Sequence, residues 1–116
     1  MRKYRNKPAV EDGYRFDSQM ELARYKELKL LQAANEISGL EIHPKFPLSV
    51  NGQTVCIYIA DFAYNDVRRG TLRVVEDVKG MKTALYSLKK KLMKACHGIE
   101  IQEIRRRTKG ITHAST

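Results

Sequence analysis

Val74-Val75-Glu76-Asp77-Val78-Lys79-Gly80 is the stretch whose reading decides the fold. Its β-branched residues mark a strand, assigned to 71–79 and closed by Gly80. Side chains alternate faces along a strand, so Asp77 and Lys79 project from one side and Glu76 from the other. Taken alone, a carboxylate two residues before a lysine is an exposed ion pair of little energetic weight. Its meaning depends on what the strand pairs with.

The preceding residues supply a partner. Asn65-Asp66-Val67-Arg68-Arg69-Gly70 reads as a polar turn, and residues 54–64 as a second strand rich in β-branched and aromatic side chains. Pairing the two strands through a turn centred near residues 67–68 puts Asp61 roughly opposite residues 74–75, one or two rungs from Asp77. Asp61 interrupts the apolar run Val55-Cys56-Ile57-Tyr58-Ile59-Ala60. An ionised carboxylate buried there needs a partner, a hydrogen bond or a metal. At a strand end it can equally reach solvent or cap a turn. Two carboxylates and an amine on one face suit a hard, oxygen-seeking Mg²⁺, with Mn²⁺ expected to substitute. Such an ion polarises a phosphodiester and lowers the pKa of a bound water. The ammonium of Lys79 would orient that water or stabilise charge developing on phosphorus.

Farther upstream, Asn51-Gly52 is a type I′ hairpin dipeptide. Leu40, Ile42, Phe46, Leu48 and Val50 alternate with polar residues as a first strand, and Pro44 and Pro47 imply an edge position or a bulge. A first helix is expected at about 18–35, with Met20, Ala23, Leu28, Leu31 and Ala34 near helical spacing. Ser18 is its N-cap, and Glu21 completes a capping box, so Glu21 by itself reads as a cap. Asp12-Gly13, between Val10 and Tyr14, suggests a small hairpin. Downstream, a helix is expected at about 82–97, with Leu85, Leu88, Leu92 and Cys96 on one face and Gly98 past its end. Ile99, Ile101 and Ile104 form a last strand, which a helical crossover can deliver in parallel. The order is α-β-β-β-α-β, an α/β (α+β) fold with a mixed central sheet. Residues 1–116 make a single domain, with a basic arm and possible hairpin at 1–16 and a polar basic tail at 105–116.

Lys and Arg outnumber Asp and Glu by 22 to 13 among 116 residues, a net charge of +9 that suits a polyanion. Lys82, Lys89, Lys90, Lys91 and Lys94 surround the second helix, and no acidic residue falls among 81–97. A solvated face is the default reading, yet the mutual repulsion of these lysines would be relieved by a phosphate backbone. Lys3 and Arg5 in the arm, and Arg105 and Arg106 near the other end, read as further DNA-phosphate contacts. Tyr86 and Lys90, four apart, share a helix face that can approach the site. No run approaches the roughly 20 apolar residues of a spanning helix, and the basic N-terminus has no apolar stretch behind it. Cys56 and Cys96 lack metal-ligand spacing and are expected as reduced thiols in a cytoplasmic protein. His43, His97 and His113 show no ligand spacing either, and His43 and His97 are expected in structural roles. Phosphate loops, zinc knuckles, Ser-His-Asp order and aromatic stacking platforms are missing from the sequence.

Glu21, Ala60-Asp61, Asp77-Val78-Lys79 and the Lys-rich helix together resemble the PD-(D/E)XK nuclease superfamily, whose restriction-endonuclease-like core is αβββαβ. A family of small phage proteins is similar over almost the whole chain. The similarity runs through the Lys-Tyr arm, Asp12-Gly13, Phe16-Asp17-Ser18, Glu21, Ala60-Asp61-Phe62, Glu76-Asp77-Val78-Lys79-Gly80 and Lys89-Lys90-Lys91-Leu92. The architecture is also similar to that of archaeal Holliday junction resolvases. The resemblance implies that Asp61 and Asp77 bind the metal, that Lys79 handles the water, and that Glu21 supports the site from the helix. Ala60 stands where the superfamily motif has Pro, and a bulge would exchange Glu76 for Asp77. The implied activity is Mg²⁺-dependent endonucleolytic cleavage of DNA, on branched substrates by analogy, by a homodimer. A nicking or packaging-associated phage nuclease and a non-catalytic DNA- or RNA-binding module are the alternatives.

Overall fold

Ser18 accepts a hydrogen bond from the Glu21 N–H and starts α1 (Gln19–Ala33); Thr83 does the same for Tyr86 at the start of α2 (Ala84–His97). The computed structural model describes residues 7–79 and 83–105, with Lys79 described by its backbone alone. Lys3, Arg5, Lys82, Arg106 and the Lys79 side chain therefore lie outside the described residues. Before α1, the Asp12-Gly13 turn joins β1 (Ala9–Glu11) to β2 (Tyr14–Phe16) in the expected hairpin. Beyond it come β3 (Ile37–Ile42), β4 (Lys45–Val50), β5 (Gln53–Ile59), β6 (Phe62–Asp66) and β7 (Leu72–Lys79), then α2 and β8 (Gln102–Arg105).

The central sheet has the order β3-β6-β7-β8; its first three strands are antiparallel neighbours, and β8 lies parallel to β7. With α1 before β3 and α2 between β7 and β8, the mixed α-β-β-β-α-β core is as expected. The apolar residues sort by strand alternation into two layers. Phe62, Tyr64 and Val74 pack with Phe16, Tyr25 and Leu28 beneath α1. Ala63 and Val75 pack with Tyr86, Met93 and Ile101 on the α2 side. Among the described residues, no helix is long and apolar enough to cross a membrane.

Four expectations are corrected. The two long strands at 40–50 and 54–64 are each broken in the middle, so β4 and β5 leave the central sheet as a separate hairpin through Asn51-Gly52. His43 causes the first break: its φ of +55° is a left-handed conformation that reverses the chain before Pro44. Ala60 and Asp61 form the second break, tied to the first by Ala60 N–H to the Pro44 carbonyl and His43 N–H to the Asp61 carbonyl, each 3.0 Å. The β4–β5 hairpin instead covers α2, where Leu48 and Tyr58 join Met93 in the core.

Second, the β6–β7 register pairs Phe62 with Glu76 and Asp66 with Leu72, which brings Asp61 level with Asp77 rather than with residues 74–75. Asp66 caps a 3-10 turn at Val67–Arg69, and the turn is centred on Arg69, one to two residues later than expected. Third, the helix faces are rotated. Leu85 and Leu88 are exposed, as is Cys96, whereas Tyr86 and Met93 are buried. On α1 the buried residues are Glu21, Tyr25 and Leu28, while Ala23 and Ala34 face out. Fourth, the last strand begins at Gln102, so Ile99 and Ile101 pack before it as part of the α2–β8 connection.

Candidate metal centre

Asp61 stands where β5 ends and β6 begins, so its side chain projects at the edge of the sheet rather than within a ladder. Its N–H donates to the Glu76 carbonyl at 3.2 Å, and its Oδ2 accepts the Val78 N–H at 2.7 Å. Asp61 is thus clamped to β7 at both ends. On β7, alternation carries Asp77 to the α2 side, where it accepts the Tyr58 hydroxyl and its carboxyl lies close enough to that of Asp61 to raise it.

Glu76 goes the other way. Arg24 Nε and Nη2 donate to its two oxygens at 2.8 and 2.5 Å, and the Tyr64 hydroxyl adds a third donor. These contacts resolve the Glu76/Asp77 ambiguity in the geometry: Glu76 is held beneath α1, and Asp77 faces Asp61.

Glu21 reaches the same place from α1. Its N–H donates to Ser18 Oγ at 3.1 Å, but its Oε1 accepts the Asp17 N–H at 3.4 Å rather than the N–H of the N-cap Ser18, so of the expected capping box only the Ser18 half is seen. The Ser18 cap and a place in the cluster are not exclusive, because the Glu21 carboxylate turns back over the first turn to meet the Asp17 N–H. One ligand atom each from Glu21, His43 and Asp61 lies within 4.8 Å of the others. Asp61 is the hinge of the arrangement, with Glu21 and His43 on one side and Asp77 on the other.

The electrostatics follow from this crowding. Burial first, then Asp77 and Glu21, pushes the Asp61 carboxyl up to about 9, with the Val78 N–H opposing. Glu21 is also raised, by burial above all and by the Asp17 and Asp77 charges. Burial and the bond to Asp77 raise the Tyr58 hydroxyl, keeping it a donor. Ionising Asp61 and Glu21 together in this partly buried space is disfavoured, and a cation joining them would relieve the cost. The donor set fits such an ion: carboxylate oxygens for a divalent metal, with one imidazole beside them.

Beside Asp77, Tyr58, Ile57, Leu85, Tyr86 and Lys89 line a cleft of about 290 Å³. A larger groove of about 530 Å³ over α2 is lined by Lys90, Lys91, Lys94 and Glu100, and shares no lining residue with it. Lys90 and Tyr86, expected near the site, both bond Glu103, each at 2.9 Å. Lys94 pairs with Glu100 at 2.8 Å, and Arg105 also pairs with Glu103. The lysines of α2 thus find acids just past the helix, which relieves part of the repulsion that their run implies. Lys79 has the backbone position paired with Arg105 of β8.

His43, Tyr58 and Arg24 were not legible as site residues. His97, by contrast, is structural as expected, placed 2.7 Å from the Pro47 carbonyl. His113 lies outside the described residues. Only the His-Pro dipeptide, between two aborted strand patterns, hints at a special turn at position 43.

An α+β domain with an α-β-β-β-α-β core, gathering acidic side chains at a break beside its central strands, is the class that fold and site define. The chain belongs to a family described as "Protein of unknown function (DUF1064)", whose model matches residues 1–109. No curated protein and no solved structure matches it.

Proposed function

We propose that the chain is a metal-dependent endonuclease of the PD-(D/E)XK type that cleaves DNA. The observation that carries this reading is Asp61 and Asp77 side by side at the strand break, with a Glu21 oxygen within 4.8 Å of one of Asp61. The element order and the net charge of +9 support it.

Asp61, Asp77 and Glu21 would hold the ion. A bound Mg²⁺ or Mn²⁺ would supply Lewis-acid polarisation of the phosphodiester and a more acidic water. Val78 N–H and Tyr58 aim the two aspartates, the first at Asp61 Oδ2 and the second at Asp77 Oδ2. Lys79, two residues after Asp77 in the sequence, would be the residue to orient the water or meet charge on phosphorus. Lys89, lining the cleft beside Asp77, is placed to take the phosphate that leads into the site. By this reading the groove lined by Lys90, Lys91 and Lys94 and the basic ends grip the remaining backbone.

The test is a cleavage assay with a parallel binding assay. Asp61→Asn and Asp77→Asn are each expected to abolish cleavage while DNA binding holds or tightens. Lys79→Ala is expected to lose cleavage even at saturating metal, since extra metal cannot supply a positioned ammonium. A variant that loses folding and binding together would make that residue structural. Metal-independent action on DNA would favour a non-catalytic binding module.

Branched DNA is the substrate class by analogy of size, charge and family with the junction resolvases, since fold alone does not fix substrate. Two symmetric cuts across a four-way junction need two sites, hence a homodimer. At roughly physiological salt, where nonspecific binding weakens, an immobile junction should compete well against excess duplex and be nicked in opposing strands. Equal affinity for both, or a monomer that nicks once, would leave a simple nicking nuclease.

A further inference from the structure

We propose that His43 is a further ligand of this metal centre, and that its imidazole makes the site prefer Mn²⁺ to Mg²⁺. This rests on the metal-centre reading above. His43 Nε2 stands 4.0 Å from Glu21 Oε1, and both lie within 4.8 Å of an Asp61 oxygen. A separation of 4.0 Å is too long for a hydrogen bond. It suits two ligands of one ion, because ligand atoms about 2.1 Å from a metal stand about 3 Å apart when adjacent and about 4.2 Å when opposite.

The backbone supports the placement. His43 adopts a φ of +55°, uncommon for a non-glycine residue, and its N–H holds the Asp61 carbonyl at 3.0 Å. Left-handed turn and ligand partner are therefore one unit. The Phe16 ring, 5.8 Å between centroids, packs beside the imidazole, and the residue is half-buried. Mg²⁺ is a hard ion that selects oxygen, whereas first-row transition ions accept imidazole nitrogen. One nitrogen among carboxylates thus shifts the preference toward Mn²⁺.

The test uses the full chain, stripped of metal, with Mn²⁺ as the probe. Pulsed paramagnetic resonance of bound Mn²⁺ is expected to show nitrogen coupling in the wild type and none in His43→Asn. Asn tolerates the left-handed backbone but is too short to reach the ion. The free-Mn²⁺ signal, with Mg²⁺ as competitor, is expected to give at least about tenfold tighter Mn²⁺ binding in the wild type. In His43→Asn that preference should collapse, since even an indirect partner of a metal ligand is worth about 10–100-fold in affinity. Bound Mn²⁺ without nitrogen coupling in the wild type overturns the proposal whatever the variant does. If Asp77→Asn still abolishes Mn²⁺ binding in that case, the metal centre stands and only His43 leaves it. Wild type that binds no Mn²⁺, or Asp61→Asn that binds it unchanged, overturns both.

Discussion

Arg24 on α1 grips both carboxylate oxygens of Glu76 on β7, at 2.8 and 2.5 Å. The pair spans 52 residues of sequence and decides the chemistry of its neighbour. With Glu76 committed beneath α1, the register of β7 is locked. Asp77 is then the acid that faces the strand break.

Arg24→Ala should destabilise the fold strongly. Glu76 is 1% exposed, so losing the guanidinium strands a buried charge, at about 3–5 kcal/mol. Urea denaturation of Arg24→Ala beside Asp77→Asn checks the contrast, because Asp77→Asn removes a charge from a repulsive cluster and should not destabilise. Equal losses in the two variants would contradict this division of labour.

Stability without metal should fall as pH rises. The Asp61 carboxyl ionises near 3.8 when unfolded and only at about 9 in the folded, metal-free protein. Between those values the folded state holds the extra proton. The contribution is therefore complete below pH 3.8 and lost progressively as pH climbs to about 9. Thermal melts across this range should show the decline, and Asp61→Asn should flatten it. Added divalent metal should restore stability most at the alkaline end, where it no longer displaces a proton.

Tyr58→Phe should weaken metal binding by about 10–100-fold while leaving the fold intact, as loss of a hydrogen-bonding partner to a ligand does. The hydroxyl donates to Asp77 and fixes the orientation of that carboxylate. Titration calorimetry with Mn²⁺, alongside circular dichroism, reads the two effects separately. Unchanged affinity would confine Tyr58 to packing.

Lys89→Ala should lower the salt dependence of DNA binding by about 0.9 in the log–log slope, the loss of one phosphate contact. Lys94→Ala should lower it less, because Lys94 already pairs with Glu100 at 2.8 Å. Binding isotherms over a range of salt concentrations distinguish the two. A larger effect at Lys94 would move the DNA track from the cleft beside Asp77 to the outer face of α2.

What the sequence determined by itself was local. The alternation around Asp77, the Ser18 cap, the Asn51-Gly52 turn and the two helices are all short-range, and the element order follows from them. A periodicity of two also sent Glu76 and Asp77 to opposite faces. The tertiary structure decided where the strands break and what meets there. His43 is left-handed because its N–H has the Asp61 carbonyl to hold, a bond between residues 18 apart in the chain. Asp61 lies level with Asp77 because Asp66 caps a 3-10 turn and re-centres the hairpin. The exposure of Leu85 and Leu88 likewise depends on which side of α2 the β4–β5 hairpin covers. Such contacts join segments whose local preferences carry no record of each other. Each bond stabilises its geometry only after the chain has closed around it, so pattern reading stops where loop closure begins.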